Sequence, residues 1–256
     1  MERIYKSSPS GSLSAYVGSG PVGFAGDGGQ ALIAQVSSPS MLTFDSHDNL
    51  YFVDGNRIRA VTSSGLITTV VGNGDGGTGE DGLATAVALG SVAGLAVAST
   101  GDIYYSEYVG ISGVSRLRWV SSTTGLVTTI ASSLPFGSFS GCSALSPTLD
   151  AAEFSSVKWL AVDSADNLYA VVSCADGFYS ATDRVLKITP AGVSSVFAGG
   201  GVALPGDAGP ATSARLDGIT NPMPGAIRTV YFLQPGPAAL ALVLRSVVQA
   251  GTLATL

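Results

Sequence analysis

The chain has 256 residues, of which 12% are charged, and its 12 basic and 18 acidic side chains give a net charge of −6. Nucleic-acid affinity comes largely from clustered Lys and Arg that neutralise phosphates, so this balance argues against DNA or RNA binding. No segment reaches the ~18 apolar residues of a membrane-spanning helix, and we expect no membrane insertion by this segment.

Glycine is abundant, with 34 residues, and Ser and Thr are also frequent. This composition favours many short strands joined by tight turns, and it fits an extracellular or cell-surface protein without deciding the compartment. The two cysteines, Cys142 and Cys174, either pair or remain partly buried thiols, and the sequence leaves both alternatives open.

The first predicted element is a strand led by Arg3. A leading Arg followed by alternating apolar residues is found at residues 3–6, 57–61, 116–120 and 184–188, with a degenerate copy at 243–247. Alternation with a period of two predicts a strand that is packed on one side and solvated on the other. We expect the Arg and Lys side chains on the solvated side, where they oppose pairing with other chains.

A second, Gly-led strand follows each of these strands, at residues 11–18, 65–72, 125–130, 192–199 and 251–256. Glycine after Ser or Thr supplies the positive φ that a tight hairpin turn needs. The pattern therefore predicts a hairpin in every copy.

Glycine-rich loops come next, with recognisable copies at residues 26–34, 79–84 and 206–216. Their Ala-x-x-Ala spacing fits one helical turn with small residues on its inner face. The preceding Asp is expected to cap this turn or to close an Asx-turn.

Two further strands complete each unit. The first of these are expected at 41–45, 94–98 and 159–163, and their small residues, most frequent at 94–98, suit a strand that is crowded near a central axis. The strands after them, at 49–52, 102–105, 167–170 and 229–232, share a tyrosine whose expected role is packing between units: Tyr51, Tyr104, Tyr169 and Tyr231.

The repeated unit thus has four antiparallel strands, with spacings of 54, 59, 68 and 59 residues between successive Arg-led strands. Four-stranded sheets repeated around an axis predict an all-β fold, a β-propeller. The predicted units are an N-terminal half-blade at 1–18 and four full blades at 19–72, 73–131, 132–199 and 200–256, all in a single domain.

The motifs Gly-Asp-Gly-Gly-x-Ala, Asp-x-x-x-Asn-Leu-Tyr-Phe-Val-Asp (45–54) and Asn-Arg-Ile-Arg-x-Val (56–61) resemble NHL repeats. The resemblance extends over essentially the whole chain and implies an NHL-type propeller, a fold that usually has about six blades. Because this chain provides about four blades and a half-blade without an obvious partner, we expect an incomplete or open propeller. The family includes scaffolds, RNA binders and a few enzymes.

Few residues point to chemistry. His47, the single histidine, lies in a predicted polar turn without a metal-binding cluster around it, and Asp75, Glu80 and Asp81 form a carboxylate-rich loop that is expected to be a solvated turn. The sequence therefore predicts no catalytic residue, no metal ligand and no cofactor.

The favoured interpretation is a non-catalytic scaffold that binds a protein or peptide through its loop faces. The irregular stretches 105–115, 135–147 and 174–183 are the expected partner-binding loops, with Phe136, Phe139, Phe178 and Tyr179 as aromatic anchors. The alternative is a metal-dependent propeller enzyme of the lactonase or lyase type, for which Asp45, Asp163 and Asn221 would be the candidate ligands.

Overall fold

A computed structural model of the chain describes residues 2–77, 79–110, 113–133, 154–175, 181–201, 209–224, 229–235, 242–248 and 253–255. The first strands in the chain are β1 (Glu2–Ser7), β2 (Leu13–Gly20), β3 (Ser40–Phe44), β4 (Leu50–Val53), β5 (Ile58–Val61), β6 (Ile67–Val71) and β7 (Gly82–Leu83). They are followed by β8 (Ser91–Val97), β9 (Ile103–Val109), β10 (Val114–Val120), β11 (Leu126–Ser132), β12 (Ser156–Val162) and β13 (Leu168–Ala175). The last are β14 (Ala181–Ile188), β15 (Ser194–Ala198), β16 (Thr220–Pro224), β17 (Thr229–Pro235), β18 (Leu242–Val248) and β19 (Leu253–Thr255).

These strands form successive antiparallel meanders. An N-terminal ribbon, β1–β2, is followed by the first blade (β3–β6), the second blade (β8–β11), the third blade (β12–β15) and the fourth blade (β16–β19), and the two-residue β7 pairs with the outer edge of β11. This is the all-β, four-stranded blade organisation of a β-propeller that the repeat predicts. Among the described strands, those of the ribbon pair only with each other, and the fourth blade is a complete four-stranded sheet. The residue boundaries of the predicted units remain a prediction.

Apolar side chains fill the space between successive sheets. Separate buried clusters lie between the ribbon and the first blade, and between each following pair of blades. The cluster between the second and third blades, for example, joins Leu117 to Leu168 and Leu186. Since both faces of each inner blade carry apolar residues, every blade depends on its neighbours for burial.

The first strands of neighbouring blades contact one another, β3 with β8, β8 with β12 and β12 with β16. At Gly94 on β8, a Cβ atom would lie 3.1 Å from the backbone nitrogen of Leu160 on β12. This close approach explains the glycine at this position, and it confirms the expected crowding of the first strands for β8 and β12.

The glycine-rich loops contain the predicted Ala-x-x-Ala turns. Residues Ala31–Ile33 and Ala211–Ser213 form single 3₁₀ turns, and Ala31, Ala34, Ala211 and Ala214 are buried. The expectation that Asp caps this turn is wrong, because Gln30 occupies the N-cap of the first turn and makes no side-chain cap bond.

Asp27 instead belongs to a buried ion-pair network around Arg59 on β5. The Arg59 guanidinium lies 2.7 Å from Asp27 and 3.1 Å from Asp54, and it also donates to the carbonyls of Ala25 and Gln35. The prediction of solvated Arg side chains is therefore wrong here, because Arg59 is 0% exposed. The network ties the loop that enters the first blade to the centre of that blade.

The second blade repeats this arrangement with Arg118, which lies 3.4 Å from Glu107 and 3.5 Å from Asp81. The main-chain contacts are also equivalent, since Asp27 accepts a hydrogen bond from the Thr69 amide and Asp81 from the Thr129 amide. Burial raises the pKa of Asp54 and of Glu107, although the neighbouring Arg opposes the rise.

The third blade fills the corresponding positions with apolar residues. By strand register, Leu186 replaces Arg59 and Val172 replaces Asp54. At the same positions of a blade, the chain thus has buried charged residues in the first and second blades and apolar residues in the third.

The difference between the first and third blades provides a test of the charged network. Replacing a buried arginine alone leaves its partner carboxylate uncompensated, so we expect Arg59→Leu to lower the free energy of unfolding by about 3–5 kcal/mol. In Arg59→Leu/Asp54→Val, which copies the third blade, about half of that loss should be recovered, because no charge stays buried without a partner. Urea denaturation at neutral pH measures both, and a double variant no more stable than the single one would contradict the account.

Candidate functional site

The turns between the first and second strands are built by a repeated Asp-Asn-Tyr motif. In the first blade, Asp45 accepts hydrogen bonds from the amides of His47 and Asn49 at 2.8 and 2.9 Å and from the Asn49 side chain at 2.8 Å. In the third blade, Asp163 accepts from the Asn167 amide at 2.9 Å and from its side chain. Both carboxylates are therefore held within their own turns.

Two of the repeated tyrosines donate a further hydrogen bond to the aspartates of these turns. Tyr169 donates to Asp163 at 3.1 Å, and Tyr51 donates to Asp45 at 3.4 Å. Tyr169 also packs edge-on against Phe197, with 5.1 Å between ring centroids. The repeated tyrosine thus has a packing role and a hydrogen-bonding role, of which only the first is expected from the sequence.

Partial burial disfavours the charged form of Asp45 and Asp163, but the hydrogen bonds of the turns outweigh it and lower the pKa of both carboxyls. Burial and the adjacent carboxylate raise the pKa of Tyr51 and Tyr169. At neutral pH, therefore, the carboxylates of these turns are ionised and the neighbouring tyrosine hydroxyls are protonated.

The second blade departs from the motif, with Ala98 and Asp102 in the places of the Asp and the Asn. Its turn is instead connected to the third blade, because the amide and hydroxyl of Ser99 donate to Asp166 at 2.7 and 2.6 Å. Asp166 has a φ of 58°, and Asp48 has a φ of 61° at the same turn position of the first blade. Asp tolerates this left-handed conformation better than most residues do.

A cleft of about 390 Å³ lies beside this connection. We call it the interblade cleft, and its walls come from the second and third blades: Ala98, Thr100, Asp102, Tyr104, Trp119, Ile130, Asp166, Ile188, Thr189, Pro190 and Gly192. Thr100, Pro190 and Gly192 are exposed at its rim, whereas Tyr104, Trp119 and Ile130 are half-buried. The cleft therefore combines aromatic and aliphatic walls with two carboxylates.

Both carboxylates of the interblade cleft are anchored by main-chain donors. Asp102 accepts from the Ser122 amide at 2.8 Å. Partial burial raises the pKa of Asp102, but hydrogen bonds, chiefly from Ser122, outweigh it and lower that pKa. Burial raises the pKa of Tyr104, and the charges of Asp102 and Asp166 raise it further. Within the described ranges, neither carboxylate forms an ion pair.

The predicted partner-binding aromatics lie outside the described residues: Phe136, Phe139, Phe178 and Tyr179. So does the whole of the stretch 135–147. Two of the expected loops are partly strand, because β9 and β10 pair out to Val109 and Val114, and β13 and β14 pair out to Ala175 and Ala181. The interpretation of 105–115 and 174–183 as irregular insertions is therefore wrong for their paired parts.

The residues considered as catalytic groups or metal ligands do not lie together. His47 is exposed in its turn, while Asp45 and Asp163 serve equivalent turns of different blades, and Asn221 lies on β16. In the described part of the chain, no three His, Cys, Asp or Glu side chains form a metal-binding group. Nor does any helix there have the length and apolar character that a membrane crossing requires.

The cysteine alternatives are resolved at one position. Cys174 on β13 is buried in the cluster between the second and third blades, and it is disulfide-bonded. Cys142, the other cysteine of the sequence, lies outside the described residues.

The residues of the interblade cleft are missed by the sequence reasoning, although one signal for them exists. Trp119 stands at a position where the other third strands have Ala60, Lys187 and Ser246, as the pairing with the repeated tyrosines shows. When the blades are aligned by strand register, Trp119 is therefore the exceptional residue at its position.

Comparison with known proteins gives a family for part of the chain. The profile of the teneurin NHL domain matches residues 21–79. Teneurin-1 of Gallus gallus is 48% identical over 48 residues, which are 19% of this chain and 2% of that protein. Teneurin-3 of Mus musculus is 44% identical over 50 residues, or 20% of this chain and 2% of that protein. The similarity thus covers a small part of the length of these relatives.

Among solved structures, a gluconolactonase from Xanthomonas campestris superimposes with a TM-score of 0.40 at 13% identity. The superposition covers 78% of this chain and 55% of that chain.

The Asp-Asn-Tyr turns give a pH-dependent stability. A carboxyl whose pKa is lowered by folding stabilises the fold above its unfolded-state pKa of about 3.9, and this contribution is lost as the pH falls through the lower, folded value. We therefore expect Asp163→Asn to cost about 1–3 kcal/mol at pH 7 and to approach the wild type below about pH 3.

Asp45→Asn is the matched variant, and its cost should be smaller, because the Tyr51 hydroxyl is 3.4 Å from its carboxylate against 3.1 Å for Tyr169, and Tyr51 is only half-buried. Denaturation curves from about pH 2 to about pH 7, a range that includes the titration of Asp in the unfolded chain and at the lower folded value, measure both differences. A cost of Asp163→Asn that does not change with pH would contradict the assignment.

Proposed function

Residues 21–79 match the teneurin NHL domain, and from that similarity we propose that this chain is a non-catalytic NHL-type propeller that binds a protein or peptide partner. The use of its carboxylates supports the proposal. Asp27 and Asp54 neutralise Arg59, while Asp45 and Asp163 hold their turns. These acidic side chains stabilise individual blades, which explains their repetition better than a single reaction centre does.

The observation that carries the proposal is the uneven distribution of exposed apolar side chains. In the described part of the chain, twelve large apolar side chains are exposed, and eight of them fall within residues 5–44: Tyr5, Leu13, Val22, Phe24, Leu32, Ile33, Leu42 and Phe44. Of the others, Leu66, Leu126 and Val193 each follow the turn glycine of a hairpin and are a regular feature of the repeat.

The apolar residues of the ribbon and the first blade have no such repetitive explanation. Ile33 is 73% exposed on its 3₁₀ turn, and Leu42 and Phe44 are 49% and 57% exposed on β3. Exposed apolar side chains that concentrate in one part of a fold often mark a site of protein association. We therefore place the partner-binding surface on the ribbon and the first blade, and we call it the first-blade surface.

A pair of variants tests this function. Substitutions at exposed positions usually change stability by less than about 0.5 kcal/mol, so Ile33→Glu/Phe44→Glu should fold normally. If these side chains are central to an interface, the double variant should weaken partner binding at least about tenfold. Val193→Glu, at 53% exposure in the third blade, is the control and should leave binding unchanged.

The measurement is quantitative proximity labelling in cells that express the full-length protein, followed by reconstitution with the purified partner. Equal recovery of the partner by the wild type and the double variant would contradict this location of the surface. The proposed function itself fails if no partner binds the wild type. It also fails if the purified protein holds a stoichiometric divalent ion that Asp45→Ala or Asp163→Ala removes, since that result favours the enzyme alternative.

A further inference from the structure

We propose that the interblade cleft binds the side chain of a lysine or arginine that a protein partner presents. The inference rests on the proposed function and deepens it, because it assigns a ligand chemistry to a second contact, apart from the first-blade surface. Four properties of the cleft carry it: its charge, its aromatic walls, its difference from the third blade, and its shape.

The charge of the interblade cleft is negative and uncompensated. Asp102 and Asp166 both belong to its wall, which contains no Lys or Arg. Asp166 is fixed by two hydrogen bonds from Ser99, and Asp102 by the Ser122 amide. Each carboxylate oxygen accepts through two lone pairs, so these bonds orient the groups and leave acceptor capacity for an incoming cation.

The aromatic walls suit a cation as well. Tyr104 and Trp119 are directly paired across β9 and β10, which places both rings on the same face of the second blade. A cation near such rings is attracted to their π faces, and tryptophan is the strongest of the aromatic partners. Carboxylates beside these rings add a charge contribution that increases as water is excluded.

The third blade shows this chemistry within the chain. There Lys187 is paired with Tyr169 at the equivalent register, and its ammonium lies 6.0 Å from the centre of the tyrosine ring. In the second blade Trp119 takes the place of that lysine. The internal cation is therefore missing in the blade whose turn places Asp102 beside Asp166 of the neighbouring blade.

The shape of the interblade cleft indicates a side chain of a larger partner. Ile130, Ile188 and Pro190 form aliphatic walls along which the methylene stem of a lysine or arginine can pack. The rim at Thr100, Pro190 and Gly192 is exposed, so a peptide backbone can lie outside while its basic side chain enters. A volume of about 390 Å³ leaves room for the stem and the charged head together.

The binding test uses three blocked tripeptides as probes: Ac-Ala-Lys-Ala-NH₂, its norleucine analogue and its acetyl-lysine analogue. Isothermal titration calorimetry with the whole chain should show binding of the lysine peptide alone. Because both partners are charged and partly exposed, affinity should fall as salt is raised from about 0.05 M to about 0.5 M. Equal binding of the norleucine peptide, or no binding of the lysine peptide at millimolar concentration, would overturn the inference.

Variants then locate the site. Asp102→Asn/Asp166→Asn should weaken binding of the lysine peptide by about tenfold or more, through loss of two charge contacts. Asp48→Asn is the matched control, because Asp48 occupies the same turn position with the same left-handed φ in the first blade, and its replacement should leave affinity unchanged. Trp119→Lys, which copies the third blade, should fill the cleft from within and abolish binding.

Thermal unfolding checks that each variant is folded, and Trp119→Lys keeps the test decisive if the double aspartate variant is unstable. Unchanged affinity in Trp119→Lys would overturn the location. A partner that binds through the first-blade surface and retains full affinity for both cleft variants would also overturn this inference, while the proposed function would stand. Loss of all partner binding by Ile33→Glu/Phe44→Glu, with lysine-peptide binding intact, would support both.

Discussion

Burial of apolar faces between neighbouring sheets is the constraint on which the rest of this structure depends. Each inner blade has apolar residues on both faces, and the buried clusters lie between blades and not within them. A single four-stranded sheet could not exclude water from both sides, so the sheets are stable only as an array. The close approach of Gly94 to Leu160 shows how tightly the first strands must pack for this to occur.

The buried arginines add specificity to this packing. Arg59 and Arg118 each connect an incoming loop to the middle of a blade through two carboxylates and two carbonyls. Apolar packing does not by itself define where such a loop must sit, whereas a guanidinium fixes both direction and distance. The third blade, with Leu186 and Val172, shows that the sheet can form without a buried arginine. The interblade cleft lies where this blade faces the second one.

Much of the fold follows from the sequence, because strand alternation, turn glycines and the Ala-x-x-Ala turns are local patterns. The burial of Arg59 is not local, since its partners Asp27 and Gln35 precede it by 32 and 24 residues. The interblade cleft is still harder to predict from the sequence, because Asp166 and Ser99 are 67 residues apart and come into contact only when two blades pack. The sequence does not predict how far the four strands β9, β10, β13 and β14 extend into residues 105–115 and 174–183, since the polar and small residues there do not alternate clearly with apolar ones.

The central claim is that a basic side chain occupies the interblade cleft, and a crystal structure of the whole chain with Ac-Ala-Lys-Ala-NH₂ tests it most directly. The account predicts electron density for the lysine in the interblade cleft against Trp119 and Tyr104, with its ammonium within hydrogen-bond distance of Asp102 and Asp166 (about 2.7–3.2 Å). A peptide bound elsewhere, or one whose backbone and not its lysine enters the cleft, would contradict it.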